Sequence, residues 1–214
     1  MPIAPASERR SKAAPPLRTP HITALMGAIE RVSVVSVVRW NPYCVGMSRF
    51  FGSVVIGAIG GAVGTMCMDL FWYRRFRSGG GSQPFIAWET SEGTDRYEDA
   101  PAPARSAKVI AGLVGIDLPD SSARAANNAV HWLTGIGWGE AHGVAAFTLG
   151  TANPALGLAT AVTAWATSYV VLPRLGVYKP ITEYDLDVLW QDFSAHLVYG
   201  VALGLAFRLL STRP

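Results

Sequence analysis

Charge is what this sequence has least of. Asp, Glu, Lys and Arg make up 15% of its 214 residues, against about 25% in an ordinary soluble domain. The deficit argues against a soluble globule. Cysteine is almost missing as well: Cys44 and Cys67 are the only two, which excludes a disulfide scaffold. No strong excess of one sign is present either. A formal net charge of +3 is too small for a nucleic-acid footprint, so no nucleic-acid partner is expected. What is there is apolar material, 50% of the chain, which excludes disorder over most of its length.

A helix that crosses a bilayer needs roughly 20 mostly apolar residues. Four stretches qualify: 51–73, 129–150, 154–172 and 193–210. Together they hold three formal charges, Asp69, Glu140 and Arg208. The third stretch holds none, which a soluble helical bundle would not tolerate, because each of its helices needs a polar face. The second is the least apolar, with Glu140 and His142. Asn153-Pro154 supplies a capping residue followed by proline at a first helical position. With so short a joint, the second and third stretches are expected to form an antiparallel hairpin. Trp72, Tyr73, Trp132 and Trp190 stand at the stretch ends, at headgroup depth. The fold class expected is all-α, a polytopic membrane protein with four transmembrane helices, and its first partner is the lipid bilayer.

The flanks differ. Residues 1–46 are rich in proline and arginine, and no packed domain is expected there. Met47 directly precedes the first span and would make a natural start, so the tail is read either as disordered or as untranslated. The four-span domain is then 47–214, with a long loop at 74–128. Counted from Met47, nine Lys and Arg residues lie on the side of that loop and three on the other. With the tail included the two sides tie at nine. The excess places the long loop in the cytoplasm. The loop carries a Gly79-Gly80-Gly81-Ser82 link, an acidic patch from Glu89 to Asp99, and a short apolar segment at 108–116. That segment is too short to span and reads as interfacial or re-entrant.

Helices in lipid associate through close packing and hydrogen bonds, and glycine lets their backbones approach. The first span carries Gly57, Gly61 and, interlocked, Gly60 and Gly64. The second carries His131, Gly135, Gly139 and Gly143, each four residues apart. The fourth carries Asp192, His196, Gly200 and Gly204 at the same spacing. Residues four apart share a helix face, so a glycine-rich packing seam is expected. It could serve this chain's own helices, a homo-oligomer or another membrane protein. The glycines of the first span do not form a dinucleotide motif, because the G-x-G-x-x-G spacing is absent.

Ionisable residues inside a membrane are costly and are functional candidates by default. They are Asp69, His131, Glu140, His142, Asp192 and His196, with Tyr199 one turn beyond His196. Helix alternation brings Asp69, His131, Asp192 and His196 to the same membrane face. A proton or ion path could use Asp192, His196, Glu140 and His142. A haem or metal could use His131 and His196, although no Glu-x-x-His motif is present. Structural hydrogen bonding between helices accounts for the same residues. Arg74 and Arg75 are expected to neutralise Asp69 in part. Ser194, Asp192 and His196 cannot converge as a triad from one helix, and no catalytic residue and no cofactor is assigned.

The layout resembles the YagU-like inner-membrane proteins of bacteria. The resemblance runs over residues 50–210. It rests on the glycine-rich first helix with its aromatic and basic end, the long loop, and a hairpin with Asn128, His131 and His142. Its most specific part is the close, with Leu172-Pro173, Gly176, Pro180, Trp190, Asp192 and His196-Leu197-Val198-Tyr199. It implies a plasma-membrane location and this architecture, and brings no catalytic residue with it.

Overall fold

The computed structural model describes residues 42–211, with side chains from Gly46 onward. What was expected of the tail before Pro42 lies outside the described residues. Six helices follow in order: α1 (Pro42–Ser78), α2 (Phe85–Glu89), α3 (Ala102–Leu113), α4 (Ala123–Leu149), α5 (Ala155–Arg174) and α6 (Leu186–Ser211). Two 3-10 turns, Asp120–Ser122 and Ile181–Glu183, precede α4 and α6. No strand occurs among the described residues.

Three helices are long and apolar enough to cross a membrane: α1 from Gly46 to Ser78, α5, and α6. This is the make-up of a membrane protein. The fourth long helix, α4, has 27 residues but is not among them. Arg124, Asn127, Asn128, His131, Glu140 and His142 dilute its apolar content. The helices outrun the apolar stretches that announce them. Toward the long loop α1 continues to Ser78, α4 starts at Ala123, and α6 starts at Leu186. Backbone hydrogen bonding does not stop where apolar residues do, and these extensions carry much of the polar chemistry.

The four long helices meet through small residues. A Cβ on Gly61 would lie 2.6 Å from the Gly135 carbonyl oxygen and 2.9 Å from the Gly139 Cα. Gly57 meets the Gly139 carbonyl and the Gly143 backbone, so α1 and α4 run backbone against backbone. Gly64 turns to α6, where a Cβ would be 2.8 Å from the Tyr199 ring. Gly200 and Gly204 face α5, against Gly157, Ala161 and Pro154. The glycine spacing on the other helices does not single out Gly157, yet it is buried at this contact. The α4–α5 hairpin turns at Gly150, whose φ of 62° suits glycine. Asn153 Oδ1 accepts the Ala155 N–H at 3.0 Å and holds the next helix start.

The long loop is folded. Tyr97, Ala100, Ala104 and Ala123 form a small core with Leu118 and Ala126 packed against it. The Tyr97 and Ser122 hydroxyls are 2.8 Å apart. The apolar segment at 108–116 falls on the second half of α3 and the residues after it. There Ile110, Leu113, Val114 and Ile116 point outward.

Candidate functional site

The polar groups gather at the end of the bundle where the long loop packs. Asp69 comes from α1 and is almost fully buried, with its side chain 6% exposed. His131 comes from the first turns of α4. Its Nε2 stands 3.0 and 2.9 Å from the two Asp69 carboxylate oxygens. An imidazole N–H forked between two carboxylate oxygens is a strong hydrogen bond, and it joins helices 62 residues apart in sequence.

A third group completes this cluster, and it comes from the loop. Glu89 closes α2, which docks on the end of α1 through rings. The Tyr73 ring lies 5.1 Å from Phe85 and 5.4 Å from Trp88, and the Tyr73 hydroxyl donates to the Gln83 carbonyl at 3.0 Å. The far side of α2 is tied to α4. Arg124 Nε and Asn128 Nδ2 both donate to the Thr90 carbonyl, at 2.8 and 2.9 Å. Asn127 Nδ2 donates to Ser91 Oγ at 2.7 Å. Ser91 itself holds a φ of 52°, in the left-handed region. Asp69, Glu89 and His131 thereby bring one donor atom each to within 4.8 Å of one another. Glu89 Oε1 is buried and has no hydrogen-bond partner. Burial and the neighbouring Asp69 carboxylate push the Glu89 carboxyl above its usual range, while His131 and the Trp132 indole pull it back.

The second cluster surrounds the start of α6. Tyr169 on α5 donates its hydroxyl to Asp192 Oδ2 at 3.0 Å. His196 Nδ1 donates to the Asp192 backbone carbonyl at 2.9 Å and stands 3.5 Å from Asp192 Oδ1. Tyr178 and Tyr184 close over Tyr169, with ring centres 5.4 and 5.5 Å away. Burial, with Asp192 nearby, pushes the Tyr178 phenol up to about 12.

Between the two clusters lies a cavity of about 430 Å³. Its walls are chiefly apolar, with Met68, Trp72, Trp138, Val171 and Leu172 among them. His131, Tyr178, Asp192 and His196 reach it at the loop side. Sites of this kind, apolar with a few convergent polar groups, are the usual form of a small-molecule pocket.

The remaining expected residues go elsewhere. Tyr199 lines the cavity, but its hydroxyl donates to the Gly135 carbonyl at 2.7 Å, so it joins α6 to α4 and not to His196. His142 is only 2% exposed. Its Nδ1 is 3.0 Å from Thr160 Oγ1, and its ring meets the Phe207 ring edge-on at 4.9 Å. Thr160 in turn donates to the Leu156 carbonyl. His142 thus links α4, α5 and α6. Glu140 faces out of the bundle. A path through Asp192, His196, Glu140 and His142 is therefore not assembled: the first two line the cavity and the last two do not.

The expected neutralisation of Asp69 by Arg74 and Arg75 is corrected. Arg74 is exposed. Arg75 donates to the Gln191 carbonyl and to Ser194 Oγ, at 3.0 and 3.2 Å, and lies over the Phe71 ring. Positions five and six residues along a helix point away from Asp69. Glu89, Tyr169 and Tyr178 were not among the expected site residues. The closely spaced aromatics Tyr73, Phe76, Phe85 and Trp88 were the available signal that the loop folds back on α1.

Compared with known protein families, with characterised proteins and with solved structures, the chain matches none of them.

Proposed function

We propose that the chain is a four-span integral protein of the bacterial plasma membrane, akin to the YagU-like proteins, whose work is to bind an amphipathic molecule. The ligand would be apolar along its body and polar at one end, as a lipid or a lipid-like metabolite is. The cavity carries this reading: its walls are chiefly apolar, and His131 from one cluster and Tyr178, Asp192 and His196 from the other line it. The fourth span is α4. At 27 residues it is about 40 Å long, and it packs backbone to backbone on α1, a helix that itself has the length and apolarity of a span. The basic loop residues put the cavity's polar end toward the cytoplasm. The outward apolar residues at the end of α3 suit a helix that dips into the headgroups.

The test is to purify the protein in mild detergent and record native mass spectra. Wild type should retain one small amphipathic species per chain. Ala164→Phe, which places a ring in the cavity wall, should lose it while eluting as wild type on a sizing column. An empty wild type, both as purified and after lipid is added back, would refute the reading.

A second reading is favoured by Glu140. A carboxylate facing lipid midway along a span costs about 2.5–3.5 kcal/mol, unless another helix covers it. Gly137, Glu140 and Ala141 share an open stripe on α4, and nothing lies within 4 Å of a Cβ built on Gly137. Self-association through this stripe would cover the charge.

A further inference from the structure

We propose that Asp69, Glu89 and His131 form a binding site for one divalent first-row transition-metal ion, held between α1, α2 and α4. The inference stands on these three side chains and not on what fills the cavity.

The donor set comes first. One imidazole nitrogen and two carboxylates suit zinc, manganese or ferrous iron, since imidazole favours the borderline ions and carboxylates add charge. Ligands at about 2.0–2.2 Å from a tetrahedral ion stand roughly 3.3–3.6 Å from one another. The His131 nitrogen and Asp69 oxygen are 2.9 Å apart, and the three donor atoms lie within 4.8 Å of one another. Small side-chain rotations would close the set on an ion.

Charge comes second. Two carboxylates meet at this point, and at most one positive imidazolium answers them. Among the described residues, the ion pairs formed by arginine and lysine are Arg96–Asp99 and Lys108–Asp120, neither of which reaches the cluster. Arg124, the nearest guanidinium in sequence to His131, is turned to the Thr90 carbonyl and hydroxyl. A dication would supply the missing charge.

Glu89 Oε1 is buried without a hydrogen-bond partner, and a buried oxygen left unpaired is costly. The segment that places it there is held firmly. Three side chains of α4 bind Thr90 and Ser91, and Ser91 stays in a backbone region that serine rarely adopts. Such a hold on a carboxylate with one buried oxygen unpaired is the pattern of a ligand fixed by its surroundings. Three protein ligands would leave at least one coordination position for water or for a bound molecule, next to the cavity that His131 lines.

The experiment uses the full chain in detergent, stripped with chelator and titrated separately with Zn²⁺, Mn²⁺, Mg²⁺ and Ca²⁺. Bound metal is measured after gel filtration. The expected result is one Zn²⁺ or Mn²⁺ per chain. Glu89→Gln should weaken it at least tenfold, the lower range of what even an outer-sphere partner costs. His131→Gln should do the same, and His196→Gln should leave affinity unchanged. Glu89 lies on a short loop helix, so its variant tests binding without opening the bundle. Lack of stoichiometric metal would overturn the proposal and leave a proton shared by the two carboxylates as the content of the cluster. So would an affinity indifferent to Glu89→Gln and His131→Gln, or binding confined to Mg²⁺ and Ca²⁺. Ala164→Phe should bind metal as wild type does, so failure here and failure of the cavity reading are separable.

Discussion

The two faces of α4 have the same ingredients and opposite fates. The inner face has Gly135, Gly139 and Gly143, with His131 and His142 beside them. The outer face has Gly137 and Ala141, with Glu140 beside them. Inside, each glycine is filled by backbone or side chain of α1, and each histidine has a partner on another helix. Outside, Gly137 meets nothing within 4 Å, and Glu140 and Leu133 are exposed. Small residues at a four-residue spacing therefore do not decide by themselves which face is packed. The inner face is picked out by partners with matching shape and hydrogen-bonding capacity, such as Gly57 and Gly61 for its glycines and Asp69 for His131.

The sharpest way to break the contrast is to enlarge the inner face. A Cβ on Gly139 would run into the Gly57 carbonyl and sit 2.6 Å from the Gly61 Cα. Both obstacles are backbone and cannot swing away. Gly139→Val should cost upward of about 3 kcal/mol, the high end of overpacking. Loss of the monodisperse peak in detergent, together with poor accumulation in membranes, is the expected readout. A valine variant that purifies and melts like wild type would mean that α1 and α4 do not approach as described.

The next effect is smaller and concerns the inner polar link. Asp69→Ala leaves the His131 Nε2 without its carboxylate in a mostly buried place, which should cost about 1–3 kcal/mol. The matched measurement is a double-mutant cycle with His131→Ala in metal-free protein. Residues in direct contact should couple, so the double variant should lose clearly less than the sum of the single ones. Additive losses would show that the two side chains do not meet.

These contrasts also mark what the sequence could disclose. The row His131, Gly135, Gly139 and Gly143 was legible because a four-residue spacing keeps to one helix face, and the structure sets that row against α1. The sequence offers Glu140 and His142 for a path with Asp192 and His196 only because all four are ionisable and lie along spans. Depth fixes a position along the axis but not around it. Glu140 is one residue from Gly139, about 100° further round, and that rotation carries it out of the bundle. Arg75 was paired with Asp69 by nearness in sequence, yet six residues along a helix is the wrong side. Glu89 was legible only as part of an acidic loop. Its place beside Asp69 depends on Tyr73, Phe85 and Trp88 folding the chain back, a contact no local periodicity announces. The apolar stretches marked where the long helices lie. They did not show how far α1, α4 and α6 continue beyond the apolar residues, and Arg75, Asn127 and Gln191 stand on those continuations.

The smallest expected effect sharpens the contrast from the other side. Gly137→Ala adds a methyl where no atom lies within 4 Å and replaces glycine by a better helix former. In detergent the change should be neutral, or stabilising by no more than about 1 kcal/mol, as read from the melting temperature. With α4 as the proposed fourth span, the membrane asks a different question of the same position, because there the charge on Glu140 would need a neighbour. With Cys44 and Cys67 replaced by serine, Gly137→Cys should form a disulfide-linked dimer in native membranes if α4 pairs with its own copy. Leu70→Cys, exposed on α1, should not. A Gly137→Ala protein that melts well below wild type would show that the outer face is already covered in detergent, and the two faces of α4 would then be alike. If Gly137→Ala is silent and no dimer forms at Gly137→Cys, self-association through this stripe fails, and the contrast between the faces stands as one between helix packing and lipid contact.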